Sequence, residues 1–133
     1  MMHTRLFKNT FWVLFFVGAV NLCAIYFYLY WTIWWFDMFV HFSAGACVAM
    51  AAISAYSFYK KTTPAIRKCI HIAIVSTLVI GILWELYELL FQVTSLADGL
   101  DYWLDTTSDV LMDVSGGIVG SLYAHRILIR SGN

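Results

Sequence analysis

The stretch DTTSDVLMDVSGGIVG, residues 105–120, decides the fold that this sequence predicts. Asp105, Asp109 and Asp113 recur every four residues, a spacing that places all three side chains on one face of a helix. Three glycines continue that face over the next two turns. The other residues are apolar enough for a membrane-spanning helix, and carboxylates inside a membrane are costly and usually functional. The stretch therefore predicts both a transmembrane helix and the place of a functional site.

The composition indicates a small polytopic membrane protein. The 133 residues are 62% hydrophobic and only 12% charged, with a single proline, whereas a soluble domain carries about 25% charged residues. No basic patch extends beyond short loop clusters, which argues against nucleic acid as a partner. The three cysteines, Cys23, Cys47 and Cys69, form no CxxC pair. We therefore expect them to pack, and neither a disulfide framework nor a thiolate metal site.

Four apolar segments predict an all-α fold, a single domain (residues 1–133) built as a bundle of four transmembrane helices. The predicted spans are about residues 10–31, 34–59, 69–92 and 105–129. A cleaved signal peptide is the alternative for the first span, but its apolar run is too long and lacks an A-x-A site. Aromatic residues crowd the boundary between the first two spans, as in an interfacial belt. Between the last two spans we expect a loop or a short interfacial helix.

The charged residues are sorted to opposite sides of the predicted bundle. Lysine and arginine occur only near the termini and between the second and third spans: Arg5, Lys8, Lys60, Lys61, Arg67, Lys68, Arg126 and Arg130. With four spans these places share one side, which the positive-inside rule makes cytoplasmic. The sequence thus predicts a protein of the cytoplasmic (inner) membrane with both termini in the cytoplasm. All acidic residues fall toward the other side: Asp37, Glu85, Glu88, Asp98, Asp101, Asp105, Asp109 and Asp113.

Ionisable residues of three spans occur at matching depths, if each residue adds about 1.5 Å along a helix. An outer layer lies roughly 5 Å from the helix ends and an inner layer roughly 10 Å in. The two layers are, respectively, Asp37, Glu88 and Asp109, and His41, Glu85 and Asp113. Small residues follow deeper in each helix, which favours close packing there. We expect a bundle that is tight in its cytoplasmic half, with a site that opens to the extracytoplasmic side.

The predicted cavity gathers five carboxylates with no lysine or arginine in reach. Two carboxylates about 6 Å apart repel by roughly 3 kcal/mol at an effective dielectric of about 20. Protonation, a cationic ligand or a bound metal ion can each relieve that repulsion. Helix bundles bind divalent metals with carboxylates and imidazoles paired along their helices. We predict a divalent metal, one of Mg²⁺, Mn²⁺, Ca²⁺, Zn²⁺ and Fe²⁺, held by His41, Glu85, Asp109 and Asp113.

Several of these residues also have a purely structural interpretation. Asp37 and Asp105 can cap the helices that begin near them, and His41 can be a neutral packing residue. Solvated or interfacial positions are expected for the remaining candidates, Asp98, Asp101, His71 and His125.

Three motifs, taken in order, make the chain similar to a known family. They are DxxxHFxxG from Asp37 to Gly45, WExxE from Trp84 to Glu88, and DTxxDxxxDxxGG from Asp105 to Gly117. Together they resemble the YjdF-like family of small inner-membrane proteins, and more distantly the VanZ-like proteins associated with glycopeptide-antibiotic resistance. At some positions where this chain has Asp or Glu, VanZ-like chains usually have Asn or Gln, so the predicted site is more acidic here. Neither family has a settled biochemical activity. The resemblance therefore implies the fold and the site more than the function.

These features favour metal-dependent hydrolysis or transfer of a phosphate or ester group on a membrane lipid or lipid-linked substrate. A metal ion activates its bound water, and Glu88 or Asp37 is the predicted base. The chain has no GxSxG motif, which argues against serine chemistry. Two alternatives stay open: a cation or proton transporter, and a non-catalytic protein that binds a cationic or lipid-linked ligand. A homo-oligomer is compatible with each of them.

Overall fold

The structure, a computed structural model, describes residues 2–132, with side chains for residues 5–130. Four long helices, one short helix and one 3₁₀ helix follow one another along the chain. They are α1 Met2–Tyr26, α2 Leu29–Thr32, α3 Phe36–Lys60, α4 Ile66–Leu90, the 3₁₀ helix Leu96–Asp98, and α5 Leu100–Gly132. No strand occurs among residues 2–132, so the predicted all-α fold is confirmed.

The first long helix begins and ends earlier than predicted. α1 runs from Met2 to Tyr26 instead of from about residue 10 to about residue 31. Tyr28 has a φ of 56°, and this left-handed conformation costs a non-glycine residue roughly 1–2 kcal/mol and interrupts a right-handed helix. The short helix α2 then leads the chain toward α3. There the ring of Tyr30 packs edge-on against Phe36, with ring centroids 5.6 Å apart.

The last helix also begins earlier than predicted. α5 starts at Leu100, so Asp105 lies in its second turn and the predicted capping role of Asp105 is wrong. The 3₁₀ helix that precedes α5 is capped by Ser95, whose hydroxyl accepts a hydrogen bond from the Ala97 N–H at 3.1 Å. Asp37 lies in the first turn of α3, where a carboxylate interacts favourably with the helix N-terminus.

Helix α5 is central to the bundle, because it contacts α1, α3 and α4. Its contact with α3 is so close that glycine is required. A Cβ atom on Gly116 would overlap the carbonyl oxygen of Phe42, and one on Gly120 would lie 2.5 Å from that of Ala46. From Gly116 to Gly120 the contact on α3 moves from Phe42 to Ala46, so residue numbers increase in the same direction along both helices. α3 and α5 therefore run parallel. Small residues that let backbones approach in this way are typical of transmembrane helix packing.

One end of the bundle gathers the basic segments of the chain. A buried apolar cluster there takes residues from the start of α1, the end of α3, the start of α4 and the end of α5: Leu6, Met50, Ile53, Cys69, Ala124 and Leu128. α1 and α4 therefore run opposite to α3 and α5. All eight lysines and arginines belong to these segments or to the loop between α3 and α4. We call this end the basic end, and the opposite end the acidic end.

The outer faces of the helices are apolar. Large side chains such as Phe15 and Phe58 are 61% and 72% exposed, a surface that is typical of helices that face lipid. Within the described residues, three helices are long and apolar enough to cross a membrane: Arg5–Tyr26, Phe36–Lys60 and Ile66–Leu90. α5 is not among the three, since its aspartates and arginines lower its hydropathy.

Candidate metal centre

His41 lies at the centre of a cluster of carboxylates. It belongs to the second turn of α3 and is buried, with 6% of its surface exposed. One ring nitrogen, Nε2, lies 3.7 Å from Asp37 Oδ1 and 3.9 Å from Asp109 Oδ2. The other, Nδ1, lies 3.3 Å from Asp113 Oδ2. A single imidazole thus connects two acidic residues of α5 with a third on its own helix.

Asp37, His41 and Asp109 form a group with the geometry to hold a metal ion. One ligand atom from each residue lies within 4.8 Å of the other two. Asp109 is 2% exposed, whereas the Asp37 side chain is 36% exposed and lies toward the acidic end. Two carboxylate oxygens and one imidazole nitrogen make a donor set that several divalent ions accept. We call these three residues the ligand group.

Asp113 fixes the orientation of the His41 ring. Nδ1 lies within hydrogen-bond distance of Asp113 Oδ2, and a carboxylate oxygen accepts a hydrogen bond from a ring N–H. With that N–H on Nδ1, a neutral ring would present the lone pair of Nε2 toward Asp37 and Asp109. Histidines that bind metals usually have such a partner on their second nitrogen.

Two glycines make room for Asp113 beside His41. A Cβ atom on Gly45 of α3 would overlap the Asp113 backbone, and one on Gly81 of α4 would lie 2.6 Å from Asp113 Oδ2. The small residues that the sequence placed below the acidic layers therefore also shape the site, because they let α5 bring its carboxylate between two neighbouring helices.

The two glutamates of α4 lie outside the ligand group. Glu85 is buried, and its Oε2 accepts a hydrogen bond from Thr106 Oγ1 at 2.7 Å. Glu88 is half-buried, and its Oε1 accepts a hydrogen bond from Trp84 Nε1 of its own helix at 2.9 Å. Thr106 is a contact that the sequence did not indicate. The predicted site residues that the structure does bring around one ring are Asp37, His41, Asp109 and Asp113.

Among side chains 5–130, no lysine or arginine pairs with the carboxylates of this cluster. The ion pairs recorded there all involve His41, and none involves lysine or arginine. Two buried carboxylate oxygens, Asp109 Oδ1 and Glu85 Oε1, have no hydrogen-bond partner. A buried polar atom without a partner costs roughly 1–3 kcal/mol, so a hydrogen-bond donor or a cation at these oxygens would be stabilising.

Tyr30 borders the site and was not indicated by the sequence. Its hydroxyl donates a hydrogen bond to Asn21 Oδ1 at 2.5 Å. Burial, and after it the charges of Asp37 and Glu88, raise the pKa of Tyr30 to about 12, so the phenol stays protonated at neutral pH. The sequence feature that could have indicated this contact is Asn21, the one strongly polar residue inside the first apolar segment. An amide at that depth needs a polar partner.

An acidic cavity of about 360 Å³ lies at the acidic end. Asp98 and Asp101 are exposed, as predicted, although Asp101 belongs to the first turn of α5 instead of a loop. Asp105 interacts electrostatically with both acidic members of the ligand group. Negative charge therefore continues from the buried group to the rim. The cavity is lined by Thr94, Asp98, Asp101, Tyr102 and Asp105.

Comparison with known proteins places the chain in a family. The model of a family described as "Predicted membrane protein (DUF2238)" matches residues 4–130. The chain therefore belongs to this family, which is the YjdF-like family, and the predicted resemblance is confirmed. No curated protein and no solved structure matches the chain. The resemblance to VanZ-like proteins stays a prediction.

Proposed function

We propose that this DUF2238 membrane protein binds a divalent metal ion through Asp37, His41 and Asp109, and uses it to hydrolyse or transfer a phosphate or ester group of a membrane lipid. The observation that supports the metal is the arrangement around His41. Its Nε2 faces two carboxylates, while its Nδ1 is held by Asp113. A divalent ion would also balance negative charge that no described lysine or arginine meets. Mixed oxygen and imidazole ligation suits Mn²⁺, Fe²⁺ and Zn²⁺, and oxygen-rich ligation with water suits Mg²⁺ and Ca²⁺.

The chemistry follows from a ligand group of only three residues. Three protein ligands would leave room for water and substrate on a bound ion, as in catalytic metal sites. An ion held by Asp37, His41 and Asp109 would supply Lewis-acid activation of the water that attacks a phosphate ester. In this scheme Glu88 takes the proton that the attacking water releases. The bond from phosphorus to the leaving alkoxide breaks, and that alkoxide takes the proton from Glu88. Glu88 suits this role because it lies outside the ligand group, is half-buried, and interacts electrostatically with Asp37 and His41.

The lipid substrate follows from the proposed placement of the bundle in the membrane. We assign α5 as a fourth span, because Asp109 and Asp113 face the bundle interior and its 33 residues are roughly 50 Å long. The positive-inside rule then puts the basic end in the cytoplasm. The site lies in the extracytoplasmic half, near exposed tryptophans typical of the lipid headgroup region. These are Trp31, Trp34 and Trp103, which are 72%, 82% and 59% exposed.

This topology predicts the side on which each loop lies. We expect a reporter fused after Asn133 to be cytoplasmic, and one inserted after Asp98, in the exposed turn before α5, to be extracytoplasmic. An enzyme reporter that is active only outside the cytoplasm measures both positions. The same side for both fusions would contradict a fourth span, and reversed sides would contradict the orientation.

The inner half of the bundle argues against transport as the leading function. Below the ligand group, α3 and α5 are in backbone contact at Gly116 and Gly120, so this interface offers no polar path toward the basic end. A cation that enters from the acidic end would therefore not pass between α3 and α5. That arrangement favours a chemical role for the bound ion over its passage through the membrane.

Replacing Glu88 by glutamine is expected to lower turnover about 10²–10⁴-fold, the usual contribution of a general base, while the metal stays bound. The assay follows phosphate, headgroup or fatty acid released from a panel of lipids by the purified, Mn²⁺-loaded protein. Asp98→Asn is the matched control, because it removes an exposed carboxylate from the same end of the bundle. We expect that variant to keep wild-type turnover.

The same assay separates the alternatives. Equal turnover by wild type and Glu88→Gln would exclude Glu88 as the base. No turnover by the metal-loaded wild type across the panel would contradict the enzymatic proposal and favour a binding protein. If the wild type carries ions into liposomes and Glu85→Gln abolishes this flux, the result would contradict the enzymatic proposal and favour a transporter.

A further inference from the structure

Two carboxylates at the acidic end each leave one oxygen buried and unpaired. These oxygens are Asp109 Oδ1 and Glu85 Oε1. The residues are 2% and 6% exposed, so water cannot reach the oxygens freely. The ligand group accounts for neither of them, because Asp109 faces His41 with its other oxygen, Oδ2, and Glu85 lies outside that group.

Glu85 and Asp109 belong to two helices that pack against each other, α4 and α5. Thr106 donates its hydroxyl proton to Glu85 Oε2 at 2.7 Å, and Thr106 lies three residues before Asp109, on the same face of α5. Glu85 also interacts electrostatically with Asp109 and Asp37. One oxygen of Glu85 is therefore fixed by a hydrogen bond, while the other is buried without a partner.

We propose that Glu85 Oε1 and Asp109 Oδ1 bind a second divalent cation, which Asp109 bridges to the ion of the ligand group. This inference rests on the proposed function, since it adds to the same site. The two donors are both carboxylate oxygens, which suit a hard ion such as Mg²⁺ or Mn²⁺.

A second ion narrows the class of substrate. Two metals roughly 3.5–4 Å apart stabilise both the attacking and the leaving oxygen of an in-line displacement at phosphorus. A pair of ions bridged by Asp109 therefore favours a phosphate ester over a carboxylic ester. The substrate that it fits is the phosphate-bearing headgroup of a lipid.

Titration of the metal-free, detergent-purified full chain with Mn²⁺ tests this proposal. Equilibrium dialysis with metal analysis gives the number of ions bound per chain, and electron paramagnetic resonance distinguishes a spin-coupled pair from an isolated ion. We expect two ions and a coupled signal for the wild type. We expect one ion and an isolated signal for Glu85→Gln. The control Asp98→Asn should bind two ions like the wild type.

A milder variant guards against a fold defect in Glu85→Gln. Thr106→Val removes the hydroxyl that fixes Glu85, and we expect it to weaken the second ion about tenfold or more while the first is unchanged, since partners of ligands typically contribute 10–100-fold. One ion per wild-type chain, or two in Glu85→Gln, would overturn the second ion and leave the proposed function standing. No ion in the wild type would overturn both.

Discussion

Replacing Gly116 by alanine is expected to prevent α3 and α5 from packing and to unfold the bundle. A Cβ atom at this position would overlap the carbonyl oxygen of Phe42, a backbone atom that cannot rotate away. Adding a methylene to a well-packed core costs typically 1–3 kcal/mol when side chains can adjust. Here a whole helix must move, so we expect a loss of about 3 kcal/mol or more.

The matched control is Gly18→Ala in α1, where a Cβ atom would meet nothing within 4 Å. Both substitutions add one methyl group to a helix and gain up to about 1 kcal/mol of helix propensity. Their difference therefore isolates the packing effect. Thermal unfolding of the detergent-purified proteins, followed by tryptophan fluorescence, measures it. Similar melting temperatures for the two variants would show that the described contact between α3 and α5 is wrong.

Replacing Asp113 by asparagine is expected to lower the affinity for a divalent metal about 10–100-fold, the usual effect of removing a partner of a metal-ligating histidine. Asparagine keeps the size of the side chain but removes the charge that aligns Nδ1 of His41. Isothermal titration with Mn²⁺ measures the affinity. Asp101→Asn serves as the control, because Asp101 is exposed on the same helix, and we expect its affinity to stay within about twofold of the wild type since it makes no contact with a ligand.

Two results would contradict this role of Asp113. Unchanged metal affinity in Asp113→Asn would show that the residue does not orient His41. A melting temperature as low as that of Gly116→Ala would show that Asp113 acts on folding instead, because the loss of metal would then follow from loss of the bundle.

The four long helices could be predicted because apolar length and charge are local properties of the sequence. The residues at which α1 ends and α5 begins could not be predicted in this way. Tyr28 adopts a left-handed conformation, and neither glycine nor proline marks that interruption. The start of α5 was missed for a different reason. Residues 100–104 contain an aspartate and a glycine precedes them, which favours a loop, yet Tyr102 is buried with 6% exposure and helps to hold this turn in helical form.

The candidate site could be predicted as a set of residues, and their separate roles could not. A three-residue spacing places Glu85 and Glu88 about 60° apart around a helix, which is compatible with one shared cavity or with two different neighbours. The partners decide between these outcomes, since Thr106 holds Glu85 and Trp84 holds Glu88. Spacing also cannot tell which ring nitrogen of His41 faces Asp109 and which faces Asp113, and the proposed role of Asp113 in orienting the ring depends on this.

Equilibrium binding of Mn²⁺ to the purified wild type, beside His41→Ala, tests the proposed metal centre most directly. His41 is buried in contact with Asp37, Asp109 and Asp113, so its removal takes away both a proposed ligand and the link between α3 and α5 at this depth. Thermal unfolding of the same samples shows whether the variant is folded. We expect saturable binding by the wild type and none by a folded His41→Ala. Wild-type protein that binds no more Mn²⁺ than His41→Ala would contradict a metal centre in this bundle.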